Sequence, residues 1–324
     1  MTDYFNLKGF SNIFEATLNN ELQDNIVEFL DWGLMEKGNY FNVTKGELSP
    51  RSNDYSLLQL SSSPHYTAGQ AWDGFRSNWI WQSGISSSPA PIVSDDNSYP
   101  GISGVYVDDV FRPVSGVGAY AHSVDYFNGR VVFDTAIPTG SKVQAEYSYK
   151  YINVLYANNV PWLREIQYRT LDVPSSFNNN DKGEFQIPSE MRIQLPAIAV
   201  EIVPRRTYKG YQLGGGQYVY TDVLFHCLAE DAYTRNSLLD MVSYQNDKKI
   251  HLFSSKSIAT NSAFPIDYRG VPVTGALRYP DLVNTYKDGH AKFLDFTVQG
   301  MEMVNSNFSA GIARTTTESI KANI

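Results

Sequence analysis

The feature that most restricts the fold is a run of side chains that alternate at a period of two. In GYQLGGGQYVYTDVLFHCLAED, Gly210 to Asp231, the residues Val219, Thr221, Val223, Phe225 and Cys227 alternate with Tyr220, Asp222, Leu224 and His226. That period belongs to an extended strand, because successive Cβ atoms leave a pleated backbone on opposite faces. The three glycines Gly214, Gly215 and Gly216 therefore precede a strand. A phosphate-binding loop needs a following helix whose free N–H groups and dipole attract the anion. It also needs a Gly-Lys-Ser/Thr ending or G-x-G-x-x-G spacing, and Gln217, Tyr218 and Val219 break both. The glycines read as a loop joining two strands.

At 324 residues the chain is long enough for two or three hydrophobic cores, so it needs neither disulfides nor metals for stability. The single cysteine, Cys227, lies in an apolar stretch and reads as a small buried hydrophobe. A thiol nucleophile is the alternative, without a His/Asn context to activate it. Against 26 basic side chains stand 34 acidic ones, a formal net charge of −8, which argues against a surface devoted to wrapping nucleic acid while leaving room for a local basic rim. The N-terminal MTDYFNLKGFSNIFE has no charged n-region followed by an apolar h-region, and no apolar stretch is long enough to span a bilayer, so the expectation is a soluble chain made in a cytoplasm, with no membrane partner.

Helical spacing appears first at Asn19 to Lys37, where Leu22, Ile26, Phe29, Leu30 and Trp32 to Leu34 form an apolar face, Asn19 or Asn20 supplies a cap and Gly38 a stop. Short strand-like runs follow between Tyr40 and Gly84. Trp72, Trp79 and Trp81 read as core, with a stacking platform for sugars or bases as the alternative. SSSPAPIVSDDNSYPG, Ser86 to Gly101, is a boundary loop in which Asp95, Asp96 and Asn97 match no calcium cage. From Ile102 to Tyr156 the pattern is a compact antiparallel β module. Asn128-Gly129 between two alternating runs predicts a tight hairpin, and Val143, Ala145, Tyr147 and Tyr149 predict a strand with one buried and one wet face.

Beyond Trp162 the elements mix. Arg192 to Pro204 is a strand candidate followed by the pair Arg205-Arg206; Asp231 to Gln245 is helical with Asp231 as cap and Leu238, Leu239 and Val242 inward; Lys249 to Phe253 and Ala291 to Met301 return to strand. The expected class is α+β: a domain with a mixed or antiparallel sheet and flanking helices, plus an inserted small antiparallel β-sandwich or barrel module. The boundaries fall at 1–92 (helix and strands packing on the main domain), 93–160 (β module), 161–308 (α+β domain) and 309–324, a C-terminal tail whose sequence SAGIARTTTESIKANI has no core pattern.

No chemistry-bearing motif emerges. His65, His122, His226, His251 and His290 are scattered, without metal-ligand spacing. Gly101 to Gly104 lacks the context of a nucleophile elbow. The adjacent pairs Asp95-Asp96, Asp108-Asp109 and Glu230-Asp231 are read as solvated turn residues, since neighbours on a strand point to opposite faces and cannot act across one cleft. No catalytic residue, cofactor or metal is expected. Arg205-Arg206, with Arg164, Arg169 and Arg192 upstream, are ordinary surface ion-pair residues or the lining of a pore that passes an acidic polymer.

The stretches DWGLMEKGNYFNVT, AGQAWDGFRSNWIWQSG, GVYVDDVFRP, DYFNGRVVFDTAIP, KVQAEYSYKY and QLPAIAVEIVPRRTYKGYQLGGGQYVYTDVLFHCLAED resemble virion structural proteins of contractile-tailed marine phages, cyanophages among them, from about Asn20 to Met301. The unit with FHCLAED, DAYTRNSLLDMVSYQ and KKIHLF is similar to tail-terminator and tail-completion folds. This resemblance implies a non-enzymatic virion protein of the neck or upper tail, assembled in the host cytoplasm as a cyclic homo-oligomer with a hexamer favoured. It implies contacts with tube, sheath and connector proteins and passage of DNA through the ring. The contact candidates are Arg205, Arg206, Gly210, Leu213, Gly214, Gly215, Gly216, Gln217 and the C-terminal tail. A glycine-rich loop has the backbone freedom to mould itself to a neighbour. A baseplate or fibre module that binds host glycans through Trp72, Trp79 and Trp81 is the alternative.

Overall fold

The computed structural model describes residues 18–48, 53–93, 101–115, 117–157, 193–210, 217–263, 265, 272–273, 275–300 and 308–321. The architecture is mixed α+β, dominated by sheet, and its largest element is a curled half-barrel. That element is a six-stranded sheet built from β10 (Asn153–Tyr156), β11 (Ala197–Gly210), β12 (Gln217–Ala229), β13 (Lys249–Phe253), β14 (Lys287–Gly300) and β15 (Ser309–Lys321) in the order β10-β11-β12-β15-β14-β13. Only the β10–β11 pair is parallel.

The curl has a local cause. Ile202 faces Val223 and Arg206 faces Thr221, so β11 takes four steps where β12 takes two. Pro204 sits inside this bulge, where its missing N–H breaks no ladder bond. The strand therefore continues past Pro204 through Arg205-Arg206, beyond the end expected from sequence. A second irregularity lies between Leu294 and Thr297 of β14, with Asp295 at φ 43°. Bulges of this kind bend a strand and increase its twist.

Two helices fill the trough. α1 (Leu18–Met35) and α2 (Ala232–Ser243) send Leu22, Ile26, Val27 and Leu30, and Leu238, Leu239 and Val242, onto Val200, Val223, Phe225, Phe293 and Ala313. Burial of each large apolar side chain contributes about 1.5–3 kcal/mol. α1 also ties both sides of the curl together. Gln23 donates from Nε2 to the Val200 carbonyl at 2.7 Å. Asn25 brackets Phe253 of β13, accepting its N–H at 2.8 Å and donating to its carbonyl at 3.0 Å. As expected, α2 is capped by Asp231, whose side chain accepts from the Thr234 N–H.

The segment read as a C-terminal tail is a correction. Residues 309–321 form a strand between β12 and β14, paired from Gln217↔Lys321 to Ala229↔Ser309 on one side. Its inward residues are Ala313, Thr315, Thr317 and Ser319, all buried. Small and hydroxyl side chains gave no apolar alternation, yet they fit because the hydroxyls find backbone acceptors: Thr317 donates to the Thr221 carbonyl at 2.9 Å and Ser319 to the Val219 carbonyl at 3.2 Å.

The remaining strands form smaller antiparallel sheets around a second core. β1 (Tyr40–Val43) pairs with β9 (Tyr147–Lys150); β2 (Gln59–Leu60), β3 (Ala71–Asp73), β7 (Arg130–Phe133) and β6 (His122–Asp125) make a four-stranded sheet; β5 (Val110–Pro113), β4 (Gly104–Val107) and β8 (Val143–Ala145) make a three-stranded one. Strands from before residue 92 therefore pair with strands of the β module, while α1 packs on the large sheet. On the expected wet face of β8–β9, Glu146 and Lys150 are half-buried, but Gln144 and Ser148 are buried: Gln144 donates to Asp54 Oδ2 at 2.9 Å and Ser148 to Asn42 Oδ1 at 2.6 Å. Period-two polarity reads as exposure, but here polar partners satisfy an interior face.

Two turns exchange roles. Asp125 faces Arg130, so Asn128-Gly129 closes a four-residue loop, not a two-residue turn; Asn128 bonds back to Asp125 at 2.7 Å and Gly129 alone takes positive φ, 66°. The two-residue hairpin is Asp108-Asp109, at φ 49° and 65° between the paired Val107 and Val110. Positive φ at both central positions is what such a turn demands, and Asp tolerates it through local hydrogen bonds.

Candidate functional site

The candidate contact residues flank the end of the β11–β12 hairpin. Gly210 is registered opposite Gln217, and the residues between them, including Leu213, Gly214, Gly215 and Gly216, lie outside the described residues. Arg205 and Arg206 do not form one guanidinium patch. Arg206 faces Thr221 and donates to the Tyr208 hydroxyl at 3.4 Å. Arg205 acts instead on Asp222, which accepts Arg314 Nη2 at 2.6 Å and Thr316 Oγ1 at 2.8 Å. Partial burial pushes the Asp222 carboxyl up. The bonds from Thr316 and Arg314 and the charges of Arg314 and Arg205 outweigh it and hold the group below its ordinary value.

What sequence reasoning missed is the margin geometry. β10 pairs with β11 only over Ala197–Val200, so among the described residues Arg206–Gly210 pair with β12 alone. On the opposite margin β13 pairs with β14 over Lys287–Lys292, and Thr297–Gly300 pair with β15 alone. Each margin exposes an apolar side chain, Tyr208 at 50% and Val298 at 45%. One margin carries Arg205, Arg206 and Lys209, the other Asp295. The length mismatch between neighbouring strands was the available signal, but strand order is needed to see it.

The tryptophans are core. Trp72, Trp79 and Trp81 are buried, and Trp79 stacks on Tyr147 at 4.1 Å. The more open rings are others: Tyr55 stacks on Phe75 at 4.0 Å, Phe75 meets the buried Tyr149 at 6.2 Å, and Phe41 bridges Tyr149 and Tyr151 at 5.8 and 5.5 Å, with Phe41 and Phe75 about half exposed.

Elsewhere the ionisable groups do structural work. Burial pushes the Cys227 thiol up to about 12, so it is no nucleophile at neutral pH. His226 Nε2 lies 2.8 Å from Glu201 Oε2, but Cys227, its neighbour on the strand, faces the opposite side, into the core. Among the described residues no group of His, Cys, Asp and Glu side chains is placed to hold a metal ion, and no helix is long and apolar enough to cross a membrane. Asp95, Asp96 and Asn97 lie outside the described residues. On α1, Asp24, Glu28 and Asp31 share one helix face. Asp31 accepts Lys150 Nζ at 2.6 Å, while burial, then Asp31, push Glu28 up to about 7.

No protein-family model and no curated protein matches the chain.

Proposed function

We propose that this chain is a structural, non-catalytic component of a tailed-phage virion, at the neck or upper tail, that assembles with copies of itself into a closed ring of tail-terminator type. The observation that carries the reading is a pair of strand margins, β11 Arg206–Gly210 and β14 Thr297–Gly300, on opposite sides of one sheet and without a second partner among the described residues. An unpaired margin is a template for another strand. Two different margins on one subunit favour head-to-tail contact, which closes into a ring when the rotation per subunit allows. Basic side chains on one margin and Asp295 on the other favour that pairing over like-with-like. Tube, sheath and connector proteins are the neighbours this reading assigns to the ring faces, with DNA passing through the lumen.

Mass photometry over a concentration series, followed by negative-stain class averages, tests it. Rings of about six copies are expected, and Tyr208→Asp or Val298→Asp should each leave monomers, since a charge at a desolvated interface core costs about 2–5 kcal/mol. A wild-type chain that stays monomeric alone and with tail tubes or portal present rules the reading out. The exposed rings Phe41, Phe75 and Tyr151, backed by the buried Tyr149 and by Tyr55, support a second reading, a baseplate or fibre module that stacks host sugars. Titration with oligosaccharides, read by weakening on Phe41→Ala, separates the two.

A further inference from the structure

Two cross-strand pairs of basic residues face each other across β13 and β14. His251 is registered opposite His290, and Lys249 opposite Lys292. These side chains stand on the face of the sheet away from α1, because the residues between them, Ile250 and Ala291, are the ones in the helix-covered core. Like charges directly opposite on a pleated surface destabilise the pair they join. The surrounding charges only partly relieve this. Asp247 lies 3.0 Å from Lys292 Nζ, Glu318 of β15 already accepts the Tyr220 hydroxyl at 2.6 Å, and Asp288 has an interaction of its own. Lys287, earlier on β14, adds a further cation. The His290 imidazole is held below its ordinary value by partial burial first and then by Lys249, His251 and Lys287, against the opposing pull of Glu318.

We propose that this patch, Lys249, His251, His290 and Lys292, binds a phosphate oxyanion. A phosphate supplies negative charge beside the Lys249–Lys292 pair, and acceptor oxygens for ammonium and imidazole N–H donors. On this face Glu318 is registered between Lys292 and Tyr220, so its carboxylate bounds the patch on the β15 side. Free phosphate and the phosphodiester backbone of a nucleic acid share this chemistry. The inference does not depend on ring assembly.

The full-length chain is titrated with inorganic phosphate while the histidine ring protons are followed by NMR, and separately with a labelled DNA duplex of about 30 base pairs by fluorescence anisotropy. Bound phosphate should move the ring-proton resonances of His251 and His290 and leave those of exposed His65 in place. Lys249→Glu should weaken duplex binding about tenfold and flatten its salt dependence by about one unit of slope, whereas Lys37→Glu, at the exposed end of α1, should do neither. Movement of the two histidines by phosphate without duplex binding assigns the patch to small phosphates; duplex binding weakened by Lys249→Glu assigns it to nucleic acid. If neither probe moves His251 or His290, or if Lys37→Glu weakens binding as much as Lys249→Glu, the proposal is overturned.

Discussion

The carbonyl of Ile137 presses against the α-carbon of Gly69 so closely that a Cβ there would lie 2.0 Å from the oxygen. Gly69 is at φ 87°, and its own carbonyl accepts both the Ile137 N–H at 3.1 Å and the Trp72 indole N–H at 3.1 Å. The contact joins the start of β3 to the segment after β7. Gly69→Ala combines a left-handed backbone with a backbone clash and should cost about 2–4 kcal/mol by chemical denaturation. Gly140→Ala, with nothing within 4 Å of the added methyl, should stay within about 0.5 kcal/mol of wild type.

Removal of residues 308–324 should abolish cooperative folding, because it separates β12 from β14 and opens the core beneath α2. Far-UV circular dichroism and soluble yield measure this. Ending the chain after Lys321 should leave both unchanged.

Glu28 titrates in the folded chain near 7 against an ordinary value of 4.5, so the native state holds the proton more tightly than the unfolded one. Its contribution to stability is fully present below about pH 4.5 and is lost as the pH rises through 7. Glu28→Gln should therefore raise Tm at pH 8 by about 2–4 °C and leave Tm at about pH 4 unchanged, as read by scanning calorimetry. An equal rise at both pH values would show that packing, not charge, is responsible.

His122 has the opposite sign. It is buried on β6, its Nδ1 lies 2.8 Å from the Tyr120 carbonyl, and its Nε2 has no hydrogen-bond partner among the described residues. Burial holds its pKa below 6.5, against the Tyr120 carbonyl and Asp134. Its contribution is present above pH 6.5 and is lost as the pH falls through the lowered value, so acid should loosen the β module. Trp79 and Trp81 fluorescence over pH 7 to about 5 reports it, and His122→Gln should flatten the profile.

The local grammar was legible in the residues: α1 from its apolar face, α2 with its Asp231 cap, the alternation of β12, the mixed α+β class and the burial of Trp72, Trp79 and Trp81. These follow from periodicity and cap chemistry, which act within a few residues. Which strands neighbour which emerged with the folded arrangement. Thr315, Thr317 and Ser319 read as tail until β12 and β14 flank them and accept their hydroxyls. Asp108-Asp109 read as solvated turn residues, but that they are the two central residues of a tight hairpin shows only once Val107 and Val110 are paired. The margins at Tyr208 and Val298, and the facing of His251 by His290, exist only once register is set, because residues far apart in the chain meet through backbone pairing that no single strand's pattern encodes.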